Sequence, residues 1–184
     1  MRRKETKEKI LKASLKLFSE KGIRETTIKD IAKEVGITEG AIYRHFRSKE
    51  EIVLGLFQSY SEELYKRLIP LVKEEAPYKE RFYKAVDVFL SFAFESPSAF
   101  KYLNIFHYLR ADSIKGFDQL PKDALLSLIE RGIEEGFVRI KKEYALAVFV
   151  GTLERVFLLV EAGMLNKEEV KAEEMANIIW KALS

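Results

Sequence analysis

The stretch from Thr27 to Lys49, TIKDIAKEVGITEGAIYRHFRSK, limits what this chain can fold into more than any other. Three hydroxyl residues, Thr27, Thr38 and Ser48, stand where helices should begin, each able to cap N–H groups that a first turn leaves without partners. Two of them carry an acid three residues on, Thr27 with Asp30 and Ser48 with Glu51, which is capping-box spacing. Between the first two caps, Ile28, Ile31, Ala32 and Val35 form an apolar stripe at helical spacing. Gly36 follows where a left-handed C-cap favours a residue without Cβ. Ile37 fills the turn. A second, short helix is expected from Glu39 to about His45, anchored by Ala41, Ile42 and Phe46. Its remaining surface carries Gly40, Tyr43, Arg44 and His45, a polar and basic face with an aromatic in it. Two helices joined in this way form a helix-turn-helix, whose second helix lies in a DNA major groove.

Charge is distributed to match. The net charge of the whole chain is only +3, but residues 1–49 hold 14 Lys/Arg and 7 Asp/Glu, and residues 50–184 hold 18 and 22. The segment charges are therefore +7 and −4, and the basic end is the helix-turn-helix end, as a duplex binder requires. A solvated Lys-rich face would give the same charge; only the motif beside it favours DNA. With 184 residues and 47% hydrophobic content the chain can bury a sizeable core. The absence of Cys excludes disulfides and thiolate metal sites and fits a reducing compartment. The charged start MRRKETKEKI lacks the apolar centre of a signal peptide, so a cytoplasmic protein is expected.

The rest of the chain reads as helix throughout. Residues 4–21 form a first helix with Ile10, Leu11, Leu15, Leu17 and Phe18 on its apolar side, closing a three-helix unit. Arg2, Arg3 and Lys4 precede it as a basic arm or a frayed terminus. A connecting helix starts at Ser48 and runs to about residue 69, where Pro70 kinks or ends it. Further helices are expected over residues 78–95, from Pro97, from Pro121 to Gly136, over 144–163, and from Asn166 or Lys167 to Leu183. Helix 144–163 is apolar nearly all round, as in a deeply buried helix or one pressed against a partner, yet its charges and length argue against a membrane span. The fold class is all-α with about nine helices: residues 1–47 as a helix-turn-helix DNA-binding domain, and residues 48–184 as a ligand-binding and dimerisation domain, with helix 48–69 as connector.

The segment Thr26–Glu51, TTIKDIAKEVGITEGAIYRHFRSKEE, resembles the TetR family of transcriptional regulators, most specifically in IYRHFRSKEE with Tyr43, His45, Phe46 and Lys49. The segment Glu130–Gly151 also looks like that family's helices near the dimer interface. The resemblance implies a homodimer on a palindromic operator, with repression relieved by a small ligand. It implies that Thr27, Thr38, Tyr43, His45 and Lys49 hold DNA phosphates, and that Lys29, Glu39, Gly40 and Arg44 face bases or their surroundings. Glu39 departs from the pattern: it accepts from a cytosine amino group or, the preferred alternative, favours the helix N-terminus. Arg44 is the best single candidate for base readout, with a phosphate contact close behind. Residue chemistry supports part of this. Thr38 opens a ready anion site at a helix N-terminus. Lys49, in the first turn of the next helix, opposes that helix's dipole, so something else should reward it, and a phosphate would. Tyr43 as packing and His45 as a half-buried structural histidine are the plainer alternatives.

Residues 82–108 hold nine aromatics, which form either a bulky core or an apolar ligand pocket. Phe82, Phe89, Ala93 and Val86 make an ordinary buried stripe. Phe92, Phe100 and Phe106 are the candidates to line a cavity, with Asn104 and His107 one turn apart to orient a polar group, and Arg110 or Glu154–Arg155 in reserve. The expected effector is hydrophobic or aromatic. An enzyme is the rival class, but the chain has only two His, no Gly-rich phosphate loop and no metal-binding helix motif, so neither catalytic residues nor a cofactor nor a metal is expected. A helical lipid carrier would have no need of the basic amino-terminal unit. Helices 144–163 and 168–183 are expected to build the homodimer as a four-helix arrangement across a two-fold axis, with Gly151 and Gly163 allowing close approach.

Overall fold

A computed structural model describes residues 2–109, 111–114 and 116–184, without the side chains of residues 2, 3, 108, 111 and 113. Arg110 lies outside the described residues. The helices are α1 (Arg2–Lys21), α2 (Ile28–Val35), α3 (Glu39–Tyr43), α4 (Lys49–Leu68), α5 (Pro70–Lys73), α6 (Tyr78–Glu95), α7 (Pro97–Leu109), α8 (Ala111–Ile114), α9 (Pro121–Glu134), α10 (Lys142–Glu161) and α11 (Ala172–Leu183). Without the two four-residue turns, α5 and α8, nine helices remain among the described residues, and no strand occurs there, so the all-α expectation holds. No helix among the described residues is long and apolar enough to cross a membrane.

The chain divides into two compact units. The first comprises residues 1–61 and 96–118. Here α1 packs on α2 and on α7. Its centre is aromatic: Phe18 stacks on Tyr102 at 5.9 Å, and Phe57 lies flat on Phe106 at 3.9 Å. Tyr102 donates its buried hydroxyl to the carbonyl of Val53 (2.6 Å), tying α7 to the first half of α4. The second unit comprises residues 62–95 and 119–184, with α6 packed on α11, α10, α5 and α9. Phe82 and Phe89 of α6 both meet Phe149 of α10 edge-on, at 5.6 and 5.9 Å. The buried guanidinium of Arg81 donates to the Ala76 carbonyl (3.0 Å) and to Glu135 (2.7 Å), which fixes the start of α6 to the end of α9.

Two features differ from the sequence expectation, and a third separates two alternatives. The last helix does not run unbroken from residue 167: Asn166 caps a 3-10 turn over Lys167–Glu169, Val170 is extended, and α11 starts only at Ala172. The aromatic run 82–108 is shared out, with Phe82–Phe94 in the second unit and Phe100–Phe106 in the first. Helix α10 buries one stripe, Ala145, Phe149, Leu153 and Phe157, while Tyr144 is 62% and Leu158 44% exposed, so it is not enclosed all round within the chain.

Candidate nucleic-acid interface

The helix-turn-helix is built by its caps. Thr27 has extended backbone and accepts from the Asp30 N–H (3.1 Å), while the Asp30 carboxylate accepts from the N–H (2.8 Å) and hydroxyl (2.6 Å) of Thr27. These bonds, the hydroxyl's first, hold the Asp30 carboxyl below its ordinary pKa. Ile28, Ile31 and Ala32 face the core. Gly36 ends α2 in the left-handed region (φ 75°), where a Cβ would be strained, and the Ile37 N–H returns to the Ala32 carbonyl (3.0 Å). Thr38 then caps α3 by accepting from the Ala41 N–H (3.2 Å).

Helix α3 stops earlier than expected. Its regular part ends at Tyr43, and the N–H groups of His45 and Phe46 both donate to the Ile42 carbonyl (2.8 and 3.0 Å). This tightened turn swings Phe46 into the core beside Ile42, both of them buried. Ala41 is half-buried, and the polar side chains of the element face outward. Thr27, Lys29, Thr38, Glu39, Gly40, Tyr43 and Arg44 are exposed, and His45 is half-buried. Tyr43, 53% exposed, is not core packing.

At the junction with α4, the Glu51 N–H donates to Ser48 Oγ (3.2 Å), but the Glu51 carboxylate accepts from the N–H of Arg47 (2.6 Å) rather than from that of Ser48. The capping box expected here is thus shifted by one residue in its second half. Lys49 also has an unforeseen environment. Its half-buried ammonium donates to the carbonyls of Ile23 (2.8 Å) and Thr26 (2.9 Å). Thr26 itself is fully buried, its hydroxyl 2.8 Å from the Gly22 carbonyl. No local sequence signal marks Thr26 or these partners, because they lie 23 and 26 residues before Lys49.

The candidate effector residues occupy both units. Phe92 is buried on α6 with the Arg67 guanidinium 5.6 Å from its ring centre. Phe100, Asn104, Phe106 and His107 belong to α7 in the other unit. Phe100 and Phe106 are buried, Asn104 is half-buried, and His107 is exposed with its Nδ1 2.8 Å from the Leu103 carbonyl of its own helix. Open clefts of about 580 Å³ beside Phe94 and Lys167, and of about 610 Å³ beside Lys9 and Val35, are lined by none of these five.

Known proteins give the same picture. The family profile for bacterial regulatory proteins of the tetR family matches residues 10–56, and that for the tetracyclin repressor-like C-terminal domain matches residues 57–184. The chain belongs to the TetR family. TetR-family proteins are transcriptional regulators with a DNA-binding helix-turn-helix, and so is this one. Among relatives, it is 50% identical over 56 residues to the uncharacterized HTH-type transcriptional regulator YerO of Bacillus subtilis (30% of this chain, 19% of that one). It is 39% identical over 72 residues to the HTH-type transcriptional repressor KstR2 of Mycobacterium tuberculosis (39% and 36%). The chain therefore spans well under half the length of these relatives. A TetR-family transcription regulator from Marinobacter aquaeolei VT8 shares the fold across 100% of this chain and 98% of its own, with a TM-score of 0.81 at 16% identity.

Proposed function

We propose that this TetR-family protein is a cytoplasmic repressor that binds a palindromic operator as a homodimer and leaves it when a small hydrophobic or aromatic effector binds. The observation that carries the DNA contact is the outward face of α3: a capped helix N-terminus followed by exposed Glu39, Gly40, Tyr43 and Arg44. In this proposal Thr27, Thr38, Tyr43 and His45 hold phosphates, while Lys29, Glu39, Gly40 and Arg44 face the base edges. Repression is suggested by the likeness to KstR2, a repressor by name.

The functional division is placed at residues 1–47 and 48–184, with α4 as connector. It need not follow the compact units, because α7 packs on α1. The homodimer is assigned to segments 144–163 and 168–183, where Tyr144, Leu158 and Ile178 keep apolar surface exposed on α10 and α11. Paired recognition helices must then match one duplex turn, roughly 34 Å. An effector acts by favouring one setting of α4 and so changing that separation.

The test is selection of duplexes from a random-sequence pool by the full-length protein, repeated with Arg44→Ala. The proposal expects a palindromic site and, in the variant, a loss of about 1–3 kcal/mol per half-site with relaxed preference at one G·C pair in each half. A variant that selects the same site with the same affinity contradicts Arg44 as a base reader.

A further inference from the structure

The position of Lys49 is costly in isolation. It opens α4 ahead of Glu50 and Glu51, where the helix dipole favours acids and disfavours an ammonium. Two observations explain what holds it there. Its ammonium donates to the carbonyls of Ile23 and Thr26 at 2.8 and 2.9 Å, so two of its three protons are used within the protein. Those carbonyls belong to the link between α1 and α2, which Thr26 closes from inside through its buried hydroxyl to Gly22 and, at 3.3 Å, to the Leu17 carbonyl. Ile23 anchors the same link in the core. The next residue, Thr27, is the N-cap of α2.

We propose that Lys49 is a positioning residue for DNA binding: its ammonium locks the entry of α2 onto the first turn of α4, and it does not hold a phosphate. The inference rests on the DNA-binding role proposed above and replaces the phosphate contact that the family resemblance implies for this residue. Drawing the ammonium out to a phosphate would break both of these bonds to the carbonyls of the link. Held in place, it makes α2, with α3 packed against it, follow the first turn of α4 as one body. Any displacement of α4 then reaches the recognition helix without loss in the intervening link.

Two mechanisms separate in the salt dependence. A lost phosphate contact lowers the slope of log affinity against log salt by about 0.9, while misplacement of an intact face lowers affinity at unchanged slope. The experiment compares the full-length wild type with Lys49→Met, which keeps the stem and removes the donors, and Lys49→Gln, which is neutral but keeps an N–H donor. Binding to the selected duplex is measured across a salt series, and amide exchange across residues 22–30 is followed in the protein alone. The expected result for Lys49→Met is affinity about tenfold weaker at the wild-type slope, with faster exchange confined to residues 22–30, and Lys49→Gln lying between. Because a homodimer carries two copies of Lys49, a slope reduced by about 1.8 with unaltered exchange overturns the proposal, as does full affinity in folded Lys49→Met. If the wild type itself binds no duplex, the DNA-binding role fails, and unaltered exchange in the variants would overturn the lock independently.

Discussion

Tyr78 and Gly132 show how closely the second unit is packed. A Cβ placed on Gly132 would overlap the Oη and Cζ atoms of Tyr78 and crowd Val138, so α9 can approach α6 only with glycine at this position. The Tyr78 hydroxyl is buried with no hydrogen-bond partner among the described residues, and burial pushes its pKa well up. Gly132→Ala is expected to cost about 2 kcal/mol by overpacking. Tyr78→Phe should be neutral or slightly stabilising, because it removes an unsatisfied group. The variant Tyr78→Leu with Gly132→Ala, which removes both overlapping ring atoms, should recover at least about 0.5 kcal/mol of the alanine's cost in denaturant unfolding; strict additivity there would show that the contact is not where the structure has it. Glu154 offers a test by pH. Burial raises its pKa, with Arg155 offsetting part of the effect. For an acid raised in the folded state, the charged form is penalised above the folded pKa, and the penalty fades as pH falls through it. Glu154→Gln should therefore raise Tm at pH 7, and the gain should vanish below the ordinary glutamate value of 4.5. A gain that persists in acid would assign the effect to something other than this carboxyl.

At the scale of elements, legibility followed locality. Thr27 with Asp30, Gly36 and Thr38 act through bonds spanning three to five residues, and each was readable from the sequence. Prolines 97 and 121 mark helix starts for the same reason, while Pro70, expected to kink or end α4, both follows its end and opens α5. The break at Val170 was not readable: apolar spacing continues through Val170 and Met175, and neither Gly nor Pro interrupts it, so periodicity alone joins the 3-10 turn to α11. The shift of the Glu51 carboxylate to Arg47 and the partners of Lys49 depend on how segments meet in space, which spacing does not encode. The division of the aromatic run was hidden likewise, since Phe92 and Phe100 look equivalent until α7 is seen against α1. On α10 the sequence reads as apolar nearly all round, so the buried stripe of Ala145, Phe149, Leu153 and Phe157 was not legible, and the outward one makes its own prediction. Leu158→Glu puts a charge on surface that is 44% exposed in the single chain, so the monomer should fold with little loss of stability. In the dimer that charge would be desolvated, and sedimentation at micromolar concentration should show monomer for the variant and dimer for the wild type. Equal dimer content in both would remove α10 from the interface.

In the whole molecule, a basic helix-turn-helix segment of charge +7 is joined to a remainder of charge −4. The remainder has no net attraction to phosphate, so binding is placed on residues 1–49 and should weaken steeply with salt. A dimer doubles those contacts, whereas one short recognition helix of five residues offers few. The most direct measurement is a salt-titrated binding isotherm of the full-length protein on the duplex it selects. The account predicts a log–log slope steeper than about −4, as for several phosphate contacts on each of two half-sites, and a stoichiometry of two chains per palindrome. Binding that is absent, or that does not change with salt, would contradict it.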